Sequence, residues 1–142
     1  LSLRRQRQMC IRDSVHVDGM GKRVARLQMD HPETLRDPSA LESAWRWCRR
    51  VSSKSDRKKA LDADVIVSTS GMMDGGPSIW YLNRLRHDRK NAILLTGYQA
   101  RNTGGRRLLE ERRVPIFGKL ASIELDVDQY SFSTHAGHQE IV

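Results

Sequence analysis

The first apolar positions that can be assigned to regular structure change from a short run to a helical spacing. Val15-His16-Val17 predicts a short strand. Met20, Val24 and Leu27 then recur on one face of a helix, with basic residues between them. The pattern predicts a surface helix over residues 20–31 whose buried stripe consists of these three side chains.

The next helix is indicated by a pair of capping residues. Ser39 and Glu42 have the spacing of a capping box, which predicts a helix that begins at Ser39. The following polar and basic residues 52–59 predict a loop or a frayed helix start. One face of the helix that begins at Ser39 is expected to carry Leu41, Ala44, Trp45, Cys48 and Val51. We interpret Trp45, Trp47 and Cys48 as packing residues rather than as chemical groups.

Two continuous apolar runs in the centre of the chain predict parallel strands. Residues 65–67 and 92–95 are short runs of the kind found in strands that are covered on both faces. Between them, Pro77 predicts the first position of a helix, with Gly76 as its N-cap. Strand, helix and strand in this order form a βαβ unit. The expected fold class is therefore α/β, with a Rossmann-like parallel sheet.

The last third of the chain predicts a short helix followed by a hairpin. We expect the helix near residues 104–111. The hairpin is expected over residues 114–127, with its turn at Phe117-Gly118-Lys119. Apolar and acidic residues alternate along its second arm, which predicts a buried face formed by Ile123, Leu125 and Val127.

Both central strands run into glycine-rich loops at their carboxyl ends. Ligands of open parallel sheets bind outside these strand ends, so we expect the two loops to lie side by side and form a site. Backbone amides at the start of the following helix would suit a phosphate, although glycine loops also serve as simple tight turns. The loops contain neither a P-loop nor a dinucleotide fingerprint. The candidate phosphate- and substrate-binding residues are Ser70, Gly71, Met72, Gly75, Gly76, Pro77, Gly97, Tyr98, Gln99, Thr103, Gly104 and Arg106.

Composition adds a basic charge and excludes several classes of protein. The chain has 25 Lys and Arg against 17 Asp and Glu, a net charge of +8, which by itself indicates solubility and nonspecific attraction to polyanions. No stretch approaches the ~18–20 apolar residues of a membrane helix. Two cysteines exclude a disulfide scaffold. The basic residues near the two loops in the sequence have two alternative interpretations: contact with an RNA backbone, or an ordinary solvated face. These residues are Lys54, Arg57, Lys58, Lys59, Arg101, Arg106 and Arg107.

Residues 1–14 do not share the pattern of the rest. They contain four arginines and no helical or strand period. The run Met9-Cys10-Ile11-Arg12-Asp13-Ser14 resembles a translated sequencing adapter, and we prefer that interpretation to a native basic arm. On this view the native sequence begins within a fold at Val15, and we expect the chain to be a fragment.

Four ordered segments resemble the β-CASP family of metallo-β-lactamase-fold nucleases. The match is to its archaeal branch, which is related to the cleavage and polyadenylation specificity factor endonuclease. The segments are Val17-Asp18-Gly19-Met20-Gly21, Ser68 to Pro77, Ile93 to Gln99 with Thr103-Gly104-Gly105-Arg106, and Phe132-Ser133-Thr134-His135-Ala136-Gly137-His138. Their joint order is more specific than any one of them alone.

The resemblance implies a zinc-dependent nuclease that cleaves RNA at a two-zinc centre, in mRNA 3′-end processing. Residues 15–128 would be a partial β-CASP domain that clamps RNA, with a C-terminal hairpin that leads back toward a missing metallo-β-lactamase domain. Residues 129–142 would be the start of that return. His135 matches the family's motif B histidine, implied to act at the scissile phosphate or leaving group. His138 is only weakly indicated as a metal ligand, because Gly137 stands where many relatives carry Asp.

The resemblance also implies partners and a limit on activity. RNA, the missing catalytic domain and a homodimer are the expected partners, with no membrane, and a cytoplasmic location is expected. Most zinc ligands of the family have no counterpart in this sequence, so we expect the isolated fragment to be inactive. The alternative is a stand-alone α/β nucleotide- or RNA-binding module without catalysis, and a purely structural role is a third interpretation.

Overall fold

The computed structural model describes residues 15–130 and residue 132. These residues form a mixed α/β structure with parallel strands, which confirms the expected fold class. They fall into two compact units that divide between Thr69 and Ser70.

The N-terminal unit is built on a three-stranded parallel sheet. Its strands are β1 (Val15–Asp18), β2 (Cys48–Arg50) and β3 (Val65–Ser68), and β1 lies in the middle. Val17 faces Arg50 of β2 on one side and Val67 of β3 on the other. The carboxyl ends of all three strands therefore lie at one edge of the sheet.

Three α-helices accompany this sheet. They are α1 (Gly21–Asp30), α2 (Pro38–Trp45) and α3 (Lys54–Lys59), with short 3-10 turns at Pro32–Thr34 and Ala60–Asp62. The buried apolar side chains of the unit are small: Val17, Ala25, Val51 and Ala60.

The position of α1 confirms the predicted helix, but the predicted buried stripe is wrong. Met20, Val24 and Leu27 are 55%, 50% and 60% exposed, and the buried residue is Ala25. A Cβ on Gly21, one turn earlier, would lie 3.6 Å from Cγ1 of Val17. The helix thus faces β1 with small residues four positions apart, which permits a closer approach than large side chains would.

The predicted second helix is wrong at both ends. Asp37, rather than Ser39, is the N-cap, and its side chain accepts a hydrogen bond from the Ala40 N–H at 3.0 Å. The Ser39 hydroxyl instead donates to the same Asp37 carboxylate. The helix ends at Trp45, because Cys48–Arg50 pairs with β1 as a strand. Sheet pairing here outweighs the helical spacing of the apolar residues.

The basic segment after β2 is an ordered helix rather than a loop. Ser53 caps α3 by accepting from the Asp56 N–H at 3.0 Å, and the Asp56 carboxylate accepts from the Ser53 N–H at 3.0 Å. This reciprocal capping box begins at the serine of a Ser-x-x-Asp sequence.

A buried ion pair joins α3 to the end of β1. Nε of Arg57 donates to Oδ2 of Asp18 at 2.6 Å, and Nη2 donates to Oδ1 at 3.1 Å. The Asp18 side chain is buried, and it also accepts from the Gly19 N–H at 2.7 Å. Because a bidentate pair is directional, it sets the position of α3 against the sheet.

The described residues of the C-terminal unit form two two-stranded sheets and two helices. β4 (Ala92–Leu95) pairs in parallel with β7 (Asp126–Gln129), and β5 (Arg113–Ile116) pairs antiparallel with β6 (Lys119–Ser122). The helices are α4 (Gly76–Leu85) and α5 (Gly104–Glu111), so the short helix predicted over residues 104–111 is confirmed. Their shared core consists of Met73, Ile79, Leu82, Leu95, Leu108, Val114, Ile116, Ile123 and Leu125.

The central strand–helix–strand order is confirmed, but its strands do not pair as neighbours. Among the described strands, β3 pairs with β1 and β4 pairs with β7, so the two belong to different sheets. The expectation that both strands are covered on both faces is also wrong, because Val65, Val67 and Leu94 are exposed. The continuous apolar runs therefore predicted where the strands lie, but not how far their side chains are buried.

The predicted hairpin is shorter than expected. Its turn at Phe117 and Gly118 is confirmed, and both residues have positive φ. The second arm ends at Ser122, and Val127 lies instead in β7, parallel to β4. Ile123 and Leu125 are buried in the link between these strands, so their alternation reflects the shared core rather than one continuous arm.

No helix within residues 15–130 is both long enough and apolar enough to span a bilayer.

Substitution Arg57→Ala tests the buried ion pair. It leaves the Asp18 carboxylate buried without its guanidinium, so we expect a loss of about 3 kcal/mol in the free energy of unfolding. The matched control is Arg26→Ala, since Arg26 and Asp30 pair at 4.0 Å on the open surface, and it should cost less than about 1 kcal/mol. Urea denaturation followed by circular dichroism measures both. Equal losses in the two variants would contradict the assigned role.

The capping box predicts an acid-sensitive contribution to stability. Hydrogen bonds from the Ser53 side chain and the Ser52 backbone lower the pKa of Asp56 below its ordinary value of 3.8. The stabilisation is therefore present above that value and is lost as the pH falls through the lower pKa of the folded state. Asp56→Asn keeps an acceptor oxygen but removes the titration, so its unfolding free energy should fall less steeply in acid. An unchanged acid slope would argue against the contribution.

Candidate functional site

The first glycine loop, residues 70–76, is anchored in the core by one side chain. Met73 is buried and belongs to the core cluster of the C-terminal unit. Its N–H donates to the Ser70 carbonyl at 2.9 Å. Ser70 and Met73 have φ of 73° and 59°, which non-glycine residues rarely adopt. Strained backbone of this kind persists only where the surroundings hold it, and it is common in binding loops.

The end of the first glycine loop is joined to the beginning of α4. The Ser78 hydroxyl lies 3.0 Å from the Ser70 carbonyl and 3.1 Å from the Gly75 carbonyl, as a donor to both. Gly76 has φ of 69°, and a Cβ there would collide with the Ser70 hydroxyl. The N-cap is Gly75, and Gly76 is the first residue of α4. The observed cap is therefore one residue earlier than the predicted one, and Pro77 lies in the first turn.

The second glycine loop, residues 96–103, is organised around a buried glutamine. Gln99 is buried, and its Nε2 donates to the Gly97 carbonyl at 3.1 Å. The same carbonyl also accepts a hydrogen bond from Nε2 of Gln129, the last residue of the neighbouring strand β7, at 2.9 Å. At the end of the loop, Thr103 caps α5 by accepting from the Arg106 N–H at 3.3 Å.

The two glycine loops touch through the first residues of α5. The Gly105 N–H donates to the Met72 carbonyl at 2.7 Å, and the Gly104 N–H donates to Oδ1 of Asp74 at 2.7 Å. A Cβ on Gly104 would collide with the Met73 carbonyl, and one on Gly105 would collide with Oε1 of Gln99. The expectation that the loops lie side by side is therefore correct, and we call this pair of hydrogen bonds the glycine clasp.

The glycine clasp also changes what the start of α5 can bind. The free N–H groups and the dipole at a helix N-terminus attract anions. Here the Gly104 N–H already has the Asp74 carboxylate, and the Gly105 N–H has a carbonyl. The protein thus supplies its own acidic group at this helix end. Asp74 and Ser78 were not among the predicted site residues, and no local pattern in the sequence indicates that Asp74 contacts a helix thirty residues away.

The remaining candidates differ in how open they are. Gly71 has open space around its Cα, and Met72 and Tyr98 are exposed. Arg106 pairs with Glu110 at 2.6 Å along the helix, so its guanidinium is engaged with a carboxylate on the surface of α5. The structure therefore brings the backbone of both loops together while their exposed side chains project into solvent.

Within residues 15–130 and residue 132, no three His, Cys, Asp or Glu residues are placed to hold a metal ion. His87 pairs with Glu124 at 2.9 Å, and this hydrogen bond lowers the pKa of Glu124. His135 and His138 lie outside the described residues, so their predicted roles remain predictions.

These features define an α/β protein in which two glycine loops are held together, each of them after a strand of a parallel sheet. Sequence comparison assigns its family. The model of the Beta-Casp domain matches residues 2–108. The chain therefore belongs to the Beta-Casp domain family, which confirms the resemblance drawn from its four segments. The match begins inside residues 1–14, whose adapter origin stays a prediction.

Similar proteins have names that are consistent with this family. "Probable RNase MJ4" of Methanocaldococcus jannaschii is 37% identical over 132 residues, covering 89% of this chain and 31% of the relative. "RNase aCSPSF2" of Saccharolobus solfataricus is 34% identical over 129 residues, covering 90% and 26%. "Transcription termination factor FttA" of Methanocaldococcus jannaschii is 41% identical over 99 residues, covering 65% and 16%. The chain thus spans less than a third of these relatives.

Substitution Gly105→Ala tests the glycine clasp. In an ordinary helix this change stabilises by up to about 1 kcal/mol, but here the new methyl meets Gln99 and the Met72 carbonyl. We expect a destabilisation of about 1–3 kcal/mol, as for overpacking elsewhere. Gly71→Ala, at an open position without a positive φ, is the matched control. Urea unfolding measures both, and a stabilising Gly105→Ala would show that the close approach is not required.

Proposed function

We propose that this chain is the RNA-contacting part of a metal-dependent ribonuclease. The observation that carries the proposal is the glycine clasp, which holds two loops together at the strand ends of a Beta-Casp domain. Two of the relatives are named ribonucleases, and the chain covers only part of them. Cleavage would belong to the longer protein, in which further residues complete the site.

The exposed groups around the clasp are suited to binding a nucleic acid. Met72 and Tyr98 offer apolar and aromatic surface, and Arg101 follows on the same loop as Tyr98. Phosphate contact would come from surface arginines rather than from the start of α5, where the Asp74 carboxylate already accepts from a backbone N–H. The chain would therefore orient RNA by side-chain contacts on a backbone framework that the clasp keeps rigid.

Two zinc ions remain part of the proposal as the cofactor of the longer protein. A pair of zinc ions supplies an activated water and stabilises the leaving oxygen. The described residues do not form a metal site, so no step is assigned to them in that chemistry. The role proposed for His135 is to position or protonate the leaving group near the scissile phosphate, which suits an imidazole that titrates near neutral pH. A cytoplasmic location, mRNA 3′-end processing and a homodimer are further proposals.

The longer protein that contains this chain provides the test. His135→Ala should reduce cleavage of labelled RNA by about 10²–10⁴-fold, the usual contribution of a general acid or base, while RNA affinity changes little. His138→Ala is the matched control and should retain cleavage. The 142-residue chain alone should bind RNA without cutting it.

Three results would count against this proposal. Full cleavage by the His135→Ala protein would remove the histidine's role. Cleavage by the isolated chain at enzymatic rates would show that its own residues suffice. Binding that does not weaken as salt increases would oppose an RNA-backbone contact, because counterion release makes that contact salt-dependent.

A further inference from the structure

Three aromatic side chains stand exposed beyond the ends of two neighbouring strands. Tyr98 follows β4, and Tyr130 and Phe132 follow β7, its parallel partner. The Tyr130 N–H donates to the Leu95 carbonyl at 2.8 Å, and the Phe132 N–H donates to the Thr96 carbonyl at 3.4 Å. These hydrogen bonds keep the segment after β7 beside the segment after β4. All three residues therefore lie at one edge of this sheet.

All three rings are exposed to solvent. Tyr98 is 72% exposed, Tyr130 48% and Phe132 74%, whereas Tyr81 of α4 is buried. Large apolar side chains that cluster at the surface commonly mark a contact with another molecule. The kind of molecule that contacts these rings depends on their geometry and on the charges around them.

Two of the rings already form a stacked pair. The centroids of Tyr130 and Phe132 are 6.5 Å apart, and their planes differ by 13°. A stacked pair with open faces can be extended by any other planar ring.

The Tyr130 ring is also held in place. Its hydroxyl is hydrogen-bonded to the Asp128 carboxylate, which raises the pKa of the hydroxyl above its usual value of 10.0 and keeps it protonated as a donor. An aromatic ring that is fixed before binding loses little conformational freedom when a ligand stacks on it.

We propose that Tyr98, Tyr130 and Phe132 form a stacking surface for the unpaired bases of single-stranded RNA. We call these three residues the aromatic platform, and its assignment to RNA rests on the proposed function. Every base presents a flat aromatic face, so stacking on such rings binds single strands with little regard to sequence.

Charge on the same edge favours bases over phosphates as the groups in contact. Asp128 lies on β7 two residues before Tyr130, and its carboxylate, which accepts a hydrogen bond from the Tyr130 hydroxyl, would repel a phosphate. Arg101, on the second glycine loop, brings a positive charge toward the backbone of the same strand of RNA. The platform is therefore expected to hold bases, with phosphates directed away from β7 toward the arginines.

The test compares an RNA with a strand that lacks bases. Fluorescence anisotropy would measure binding of the 142-residue chain to a labelled single-stranded oligouridylate and to an abasic oligomer of the same length and charge, over a salt series. We expect Phe132→Ala or Tyr98→Ala to weaken oligouridylate binding by about 5- to 140-fold, the usual effect of losing one stacked base. Abasic binding and the salt dependence should not change.

A matched control and a conservative variant complete the experiment. Phe117→Ala removes a ring of similar exposure, 73%, from the turn between β5 and β6 and should bind like the unchanged chain. Phe132→Tyr keeps a stacking ring and should retain affinity. Circular dichroism would confirm that each variant is folded, and sedimentation would report self-association.

The outcomes separate this inference from the proposed function. If the unchanged chain binds neither oligomer, the RNA contact of the proposed function is wrong, and the platform with it. If the chain binds both oligomers equally, or if Phe132→Ala and Tyr98→Ala both bind like the unchanged chain, the platform alone is overturned. Variants that lose only self-association would overturn it in favour of an interface between copies.

Discussion

The contact between the Gly105 N–H and the Met72 carbonyl is the constraint on which the candidate site depends. It brings the first turn of α5 against the backbone of the first glycine loop, at a distance that leaves no room for a Cβ. The contact is secured from both sides, because Met73 and Leu108 are each buried in the same core. Packing of the core and placement of the loops are therefore one physical problem.

The same contact determines how the charges of the site can be used. A helix N-terminus near a loop suggests an anion site, but the Asp74 carboxylate fills that role within the protein. Recognition of RNA would then depend on side chains that project beyond the clasp, with aromatic rings for bases and arginines for phosphates. This division explains how a loop rich in glycine can be rigid and still leave its ligand contacts to neighbouring residues.

Local chemistry made several elements predictable. The helices at Gly21–Asp30 and Gly104–Glu111 and the turn at Phe117 follow from spacing, capping and turn preferences. The two glycine loops were predicted to lie side by side and do so, but through the first residues of α5, since the strands that precede them belong to different sheets. The contribution of Asp74 was not predictable, because a side chain that caps a helix thirty residues away has no local signal of its partner.

The sequence by itself determined most of the elements, the positions of the glycine loops and the family, because these depend on short-range patterns and ordered motifs. Only the tertiary structure decided which faces are buried and which strands pair. Cys48–Arg50 became a strand because β1 offered it hydrogen bonds, and α1 buried Ala25 instead of its larger residues because close approach to β1 favoured small ones. Pairing and burial depend on partners distant in the chain, and a helical or alternating pattern does not name them.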